Sequence, residues 1–374
     1  MYLWLILVIS FLFLPICNYR ITIGQKNRNS TVSCQKNGKI FFITLVSVIL
    51  VTINALKADS VGADTAMYHN LYDLTRSASS LSEARGYWQN QSLEIGFLIL
   101  EFVLGRFLDF HAASFVFAII SIVPLMVLIY KYSDNYWLSI FVYICFGMYA
   151  FSLTGLRQSV AMGLCCIAFI FAKKRKLVVF LLFVILAFTI HKSALIFLPA
   201  YWLMTVGHSK KTIGIFFLST VASFGLGPVV YKLLNMFARF SYESSDSAGG
   251  SKLYLFIIGT LLLSYLVSKR FFSSSTSKEE IKLVTNENLP IFNMIAFCAL
   301  LWPITRANSV VFRLYYYYFI YLALFIPNFI NGIRDKKTKL MILVIYLAVG
   351  LYFLNFYIIG NEQMKYAAYE FFWQ

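Results

Sequence analysis

Apolar residues along this chain come in blocks and do not alternate with polar ones. Thirteen blocks fall near residues 1–18, 40–56, 93–108, 113–130, 136–153, 158–172, 177–190, 194–206, 212–231, 253–268, 289–304, 312–332 and 339–358, with polar connections between them. Most are long enough to cross hydrocarbon as a helix, which takes about 20 residues. Alternating strands of about ten residues, the mark of a membrane barrel, are missing from the pattern. The pattern predicts an all-α polytopic membrane protein forming a single transmembrane domain over residues 1–374. The opening "MYLWLILVISFLFLPICNYR" has no basic leader and no small-residue cleavage site, so it reads as a retained first helix.

Composition sharpens this picture. The chain is 60% hydrophobic and 18% aromatic but only 13% charged, which no water-soluble core can accommodate. The six cysteines show no CxxC or Cys/His ligand spacing and read as core-filling thiols. The net charge of +16 would suit nucleic acid in a soluble protein. In a membrane chain an excess of Lys and Arg marks loops facing anionic lipid, so no nucleic-acid partner is expected.

The positions of the charges set a topology. Basic clusters lie in 20–39, 173–176 (KKRK), 210–211, 269–282 and 334–339. Placing all of them on the cytoplasmic side puts residues 57–92 outside. It also requires that 93–108 not cross, because a crossing there would turn KKRK outward. That segment carries Glu94, Glu101, Arg106 and Asp109, an uncomfortable load for a span. It reads as a re-entrant or interfacial helix inside an external loop 57–112. About 12 spans remain, with both termini and a second external loop, 232–252, outside. The aromatic C-terminal stretch would lie in the outer interface.

This orientation brings several polar residues to one face. Arg157 lies in "LTGLRQSVA" beside Gln158, and His191 with Lys192 lies in "FTIHKSALIF". Arg306 and Arg313 sit seven residues apart, a spacing that gives them a shared face if that stretch is helical. Asp64 and Tyr68 are four apart in the external loop. Each has a plainer reading: a snorkelling arginine, an interfacial histidine, a solvated loop acid, and for Tyr315–Tyr318 a packing and interfacial belt. Taken together, arginine forks grip phosphate oxygens bidentately, and a histidine or aspartate beside them can take a proton from a hydroxyl. That combination suits transfer of a sugar from a lipid-linked pyrophosphate, the arginines stabilising charge on the departing group.

The motifs "GADTAMY", "LRQSVA", KKRK, "HKSALIFLPAY" and "FRLYYYY", in that order, resemble the EpsG family of bacterial exopolysaccharide and O-antigen polymerases, the Wzy-type group. The resemblance covers roughly residues 40–370. It implies a membrane glycosyltransferase with a GT-C-like fold, in the bacterial cytoplasmic membrane with its site facing outward. Such an enzyme would join undecaprenyl-pyrophosphate-linked oligosaccharide repeat units, without cofactor or metal, and a chain-length regulator protein would be a further partner. By the same likeness Arg157, His191 and Arg313 take the family's polar positions and Asp64 its acidic loop position. Arg306 is assigned from spacing alone. Arg157, Arg306 and Arg313 would hold pyrophosphate; Tyr68, Gln158 and Lys192 would support substrate; His191 or Asp64 would act as base, the choice between them open. The competing readings are a flippase or exporter of lipid-linked glycan, a ligase that transfers finished glycan, and an O-acyltransferase. A flippase would want charges continuing through mid-span positions, and the spans beyond residue 113 are almost clean there.

Overall fold

The computed structural model describes residues 28–88, 94–207, 214–223, 225, 229, 251–272, 278–305, 313–360 and 369–374. Among them the chain is helical, its β content limited to one isolated bridge between Lys57 and Phe371. The helices are α1 (Arg28–Ala55), α2 (Thr65–Ser77), α3 (Leu81–Tyr87), α4 (Ile95–Leu104), α5 (Phe110–Tyr132), α6 (Tyr136–Cys145), α7 (Met148–Thr154), α8 (Leu156–Lys173), α9 (Leu177–Ile190) and α10 (Ala200–Leu203). They continue with α11 (Gly214–Ser223), then α12 (Ser251–Phe272), α13 (Lys278–Thr305), α14 (Tyr316–Phe319), α15 (Leu322–Asn331) and α16 (Lys336–Phe353).

Polar connections start helices where the sequence offers a cap. Asp109 accepts from the Ala112 amide at 2.8 Å to open α5, Asn135 from Leu138 at 3.1 Å to open α6, and Asp335 from Thr338 at 2.8 Å to open α16. The centre of the molecule is a layer in which α5 packs between α1 and α8, with α9 against α8 and α15 against α6. The α5–α8 contact is close because Gly163 has no side chain; a β-carbon there would overlap the Ile120 carbonyl. Cys145, Cys165, Cys166 and Cys298 are buried free thiols in this core.

By length and composition, four helices suffice to cross a membrane: Gly38–Ala55, Phe110–Tyr132, Leu156–Lys173 and Lys336–Ile359. The bent pair α6–α7 makes five. The chain is an integral membrane protein by this measure, yet fewer continuous spans form among the described residues than the twelve expected. Glycine and proline explain part of the difference. The block 136–153 breaks at Gly147, which adopts φ +80°, and α6 and α7 meet at 52°. The block 194–206 becomes a 3₁₀ turn, Lys192–Phe197, followed by α10 beyond Pro199. The block 312–332 divides into a 3₁₀ turn Arg313–Tyr315, α14 and α15. Within 93–108 the helix is α4, ten residues long. That is about 15 Å, half of a hydrocarbon core.

Helix α8 joins two chemically different ends of the bundle, its Arg157 and Lys173 separated by about 24 Å of helical rise. At the Lys173 end a polar cavity of about 400 Å³ is lined by Lys39, Lys131, Ser133, Asp134, Lys173, Asn288 and Asn328, among others. Lys39 donates to the Ser133 carbonyl at 3.2 Å, and Lys173 lies 4.2 Å from the centre of the Tyr132 ring. Nearby, Arg175 donates to the Tyr201 carbonyl at 2.6 Å. At the other end, the C-terminal residues close over the start of the 57–112 segment. The Ala58 amide donates to the Glu370 carbonyl and the Phe372 amide to that of Leu56, while Phe372 stacks on His111.

Candidate functional site

The Arg157 end holds the candidate site, built from four chain segments. Gly62 begins it with φ +86°, a left-handed turn that a side chain would strain. The turn also brings its Cα against the Leu153 carbonyl, where a β-carbon would stand 2.6 Å away. Asp64 follows at the N-terminal edge of α2, and the Tyr68 amide donates to its carbonyl at 3.1 Å. Tyr68, in the first turn of α2, is buried among Trp88 and Phe97. Its hydroxyl accepts from Arg157 Nε at 3.0 Å.

Arg157 occupies the first turn of α8 just after Gly155. Its Nη1 donates to Glu94 Oε2 at 3.0 Å, and both side chains are mostly buried. Glu94 precedes α4 in extended conformation and does not cap its own helix, so the carboxylate is free to reach elsewhere. It reaches the segment after α9. Glu94 Oε1 accepts from the Lys192 amide at 3.0 Å and lies 3.4 Å from His191 Nδ1, a close approach not aligned as a hydrogen bond. Gly96 permits this meeting. A β-carbon at Gly96 would overlap the Thr189 hydroxyl, so α4 and α9 touch two residues from Glu94 and two from His191.

Arg313 completes the set. Its carbonyl accepts from Gln158 Nε2 at 2.7 Å, and its Nη1 lies 3.9 Å from Asp64 Oδ2, both side chains about one-third exposed. Ser193 and Tyr317 hydroxyls are 2.9 Å apart behind it. The tyrosine run is therefore packing: Tyr315, Tyr317 and Tyr318 are buried, and Tyr318 donates to the Ile196 carbonyl at 2.7 Å.

Seven of the eight residues singled out in the sequence thus form one connected network, although its side-chain partners lie 63 to 249 positions apart. Arg157, Arg313 and Asp64 present their charges to it, and His191 its imidazole. Tyr68 and Gln158 are buried and spend their polar groups on Arg157 and on the Arg313 backbone. Lys192 contributes its amide to Glu94. Arg306 lies outside the described residues.

Two carboxylates stood in the sequence only as reasons against a span. One is Glu94, the hub of the network. Burial pushes its pKa up, but the contact with His191, the Arg157 charge and the Lys192 amide outweigh burial and hold the carboxyl below its ordinary range. The other is Glu101, two turns further along α4. It is fully buried, and neither oxygen has a hydrogen-bond partner. Burial keeps it protonated well above the ordinary carboxylate range, with Arg157 pulling the other way. The only sequence signal for either was an acid placed at the edge of, or inside, an apolar run.

Chemically the site offers a buried, hydrogen-bonded guanidinium, a more exposed one beside Asp64, an imidazole and two carboxylates. Among the described residues no three His, Cys, Asp or Glu side chains converge as a metal-holding group. Arginines with a neighbouring imidazole or carboxylate are residue types that bind an anionic group and accept a proton.

The comparison with known proteins bears out the family resemblance. No curated protein and no solved structure gives a significant match. The model of the EpsG family matches residues 40–371, nearly the whole chain, and the protein belongs to the EpsG family.

Proposed function

We propose that this protein is a polysaccharide polymerase: a membrane glycosyltransferase that joins undecaprenyl-pyrophosphate-linked oligosaccharide repeat units on the outer face of the bacterial cytoplasmic membrane. Family membership supports a polymerase-like role in polysaccharide synthesis. The observation that carries the finer reading is the network itself, which ties Arg157 and Arg313 to His191 and Asp64 at the end of the bundle opposite the lysine cavity. In this reading the arginine end faces outward and the lysine end faces the cytoplasm. Residues 93–108 are re-entrant within the 57–112 external loop, and about twelve crossings are arranged as in GT-C enzymes.

Arg157 and Arg313, with Arg306, neutralise the donor pyrophosphate. An acceptor sugar hydroxyl attacks the anomeric carbon, its proton passing to the base, and the C–O bond to the pyrophosphate breaks with its electron pair leaving on the phosphate. His191 is the preferred base. Asp64 sits 3.9 Å from the Arg313 guanidinium that would hold the pyrophosphate, whereas His191 faces the Glu94 carboxylate, which can orient an imidazole for proton transfer. A ligase that transfers finished glycan shares this donor chemistry. Purified protein incubated with one defined lipid-linked repeat unit should yield a ladder of products. Transfer to a different acceptor without a ladder would make it a ligase, and movement of the lipid between leaflets with no new bond would make it a flippase.

A further inference from the structure

Glu94 has three partners from two distant parts of the chain, and two of those partners have work to do in the reaction. Its Oε2 takes Arg157 Nη1 at 3.0 Å, while its Oε1 takes the Lys192 amide at 3.0 Å and faces His191 Nδ1 at 3.4 Å. It is 7% exposed, so its negative charge depends on these partners for compensation. Without substrate the pair Glu94–Arg157 is self-satisfied. A pyrophosphate arriving at Arg157 changes this, because one guanidinium edge cannot stay fully committed to a carboxylate while gripping phosphate oxygens.

We infer that Glu94 is a positioning residue that hands Arg157 to the donor pyrophosphate and, once released, fixes His191 as the base. This rests on the polymerase reading of the site. With Arg157 drawn to phosphate, the remaining compensation for Glu94 is the Lys192 amide and the imidazole. A carboxylate facing Nδ1 selects the tautomer with hydrogen on Nδ1, which leaves Nε2 with a lone pair for the acceptor hydroxyl. The 3.4 Å separation tightens as the arginine leaves; catalytic hydrogen bonds in empty sites are commonly long. When the acceptor O–H bond breaks, its proton goes to Nε2. The resulting imidazolium lies against Glu94, so the charge lost from the Arg157 pairing is replaced. The latch orders the reaction: the base is set only when a donor occupies the arginine.

A residue that merely supports the fold would lower turnover and weaken donor binding together. The hand-over predicts opposite signs, since Glu94 competes with the donor for Arg157. In the full-length protein in detergent, Glu94→Gln should bind undecaprenyl pyrophosphate about tenfold more tightly by calorimetry. Its turnover of a defined lipid-linked repeat unit should fall about 100-fold. Glu94→Asp, which keeps the charge on a shorter stem, should fall between wild type and Glu94→Gln in both readings. It also carries the test if the glutamine variant does not fold. Equal or weaker binding of undecaprenyl pyrophosphate in the folded variant overturns the hand-over. A wild-type protein that binds the lipid pyrophosphate yet makes no ladder refutes the polymerase reading instead, and tighter binding in Glu94→Gln would then still support the competition for Arg157.

Discussion

The two ends of α8 each carry a cation, and they are treated in opposite ways. Lys173 rests on the Tyr132 ring beside an open polar cavity shared with Lys39 and Lys131. Arg157 is sunk among partners brought from far along the chain, with Glu94 on one nitrogen and the Tyr68 hydroxyl on another. The Lys173 end shares its polar cavity with Asp134, and Lys39 there donates to the Ser133 carbonyl. A buried arginine would be costly without a fixed anion, and supplying one constrains three separate segments. Burial with a distant acidic partner, more than charge itself, distinguishes the working end from the anchoring end.

The sharpest test removes that charge. Arg157→Ala leaves Glu94 buried beside only His191 and the Lys192 amide, and it deletes the strongest candidate pyrophosphate ligand. Polymer formation should fall by about 10²–10³-fold or more, the scale of losing preorganised charge stabilisation. Arg313→Ala, at a more exposed position, should also abolish polymer, while both proteins remain membrane-inserted. Full-length polymer from either variant, read by gel, would make the arginine end no more functional than the lysine end.

The next effect concerns the base. His191→Gln should reduce turnover by about 10²–10⁴-fold, the usual contribution of a positioned general base. Unimpaired turnover would transfer the role to Asp64. Smaller, because it acts at a distance, is Gly96→Val. The added side chain would collide with Thr189 and separate α4 from α9, moving Glu94 from His191 without touching either. About a tenfold loss of turnover is expected, on the scale of misplacing a group by an ångström or less. Wild-type turnover in this variant would mean the α4–α9 contact does not set the site.

How much of this was legible in the sequence follows from the same contrast. Arg157, His191, Arg313 and Asp64 stood out because an unneeded charge at the end of an apolar run is visible in one dimension. Their convergence on one end followed from charge counting alone. Glu94 was visible only as a liability in 93–108, because its meaning depends on Arg157 and Lys192, 63 and 98 positions away. The glycine at 96 has the same character: its role is a neighbour on another helix. The breaks in 136–153 and 312–332 escaped for a different reason. Hydropathy is indifferent to backbone direction, and a left-handed Gly147 changes the direction without changing the hydropathy. The tyrosine run 315–318 looked partly interfacial because aromatic residues are equally at home in a belt and a core; its burial came from packing against Ser193 and Ile196.

The smallest expected effect lies on a third cation, between the two extremes in chemistry. Lys57 belongs to the arginine end of the bundle but has no acid within ion-pair distance among the described residues. It is buried and donates to the Asn54 carbonyl and side chain at 3.1 and 3.3 Å. Burial lowers its pKa from 10.5 to about 8, against the pull of Asp59. Since the folded value is depressed, the unfolded chain binds the extra proton between about 8 and 10.5. Lys57 therefore costs stability below pH 8, by up to about 3 kcal/mol from that displacement. The cost is relieved as pH rises toward 10.5. Lys57→Met should raise the melting temperature in detergent at pH 7, and its advantage over wild type should shrink as the pH rises from 8 to 10.5. Turnover should change little, because Lys57 is not in the Arg157 network. A Lys57→Met protein that melts earlier at pH 7 would show that the Asn54 contacts outweigh the buried charge, and burial without an acidic partner would no longer separate a costly cation from a useful one.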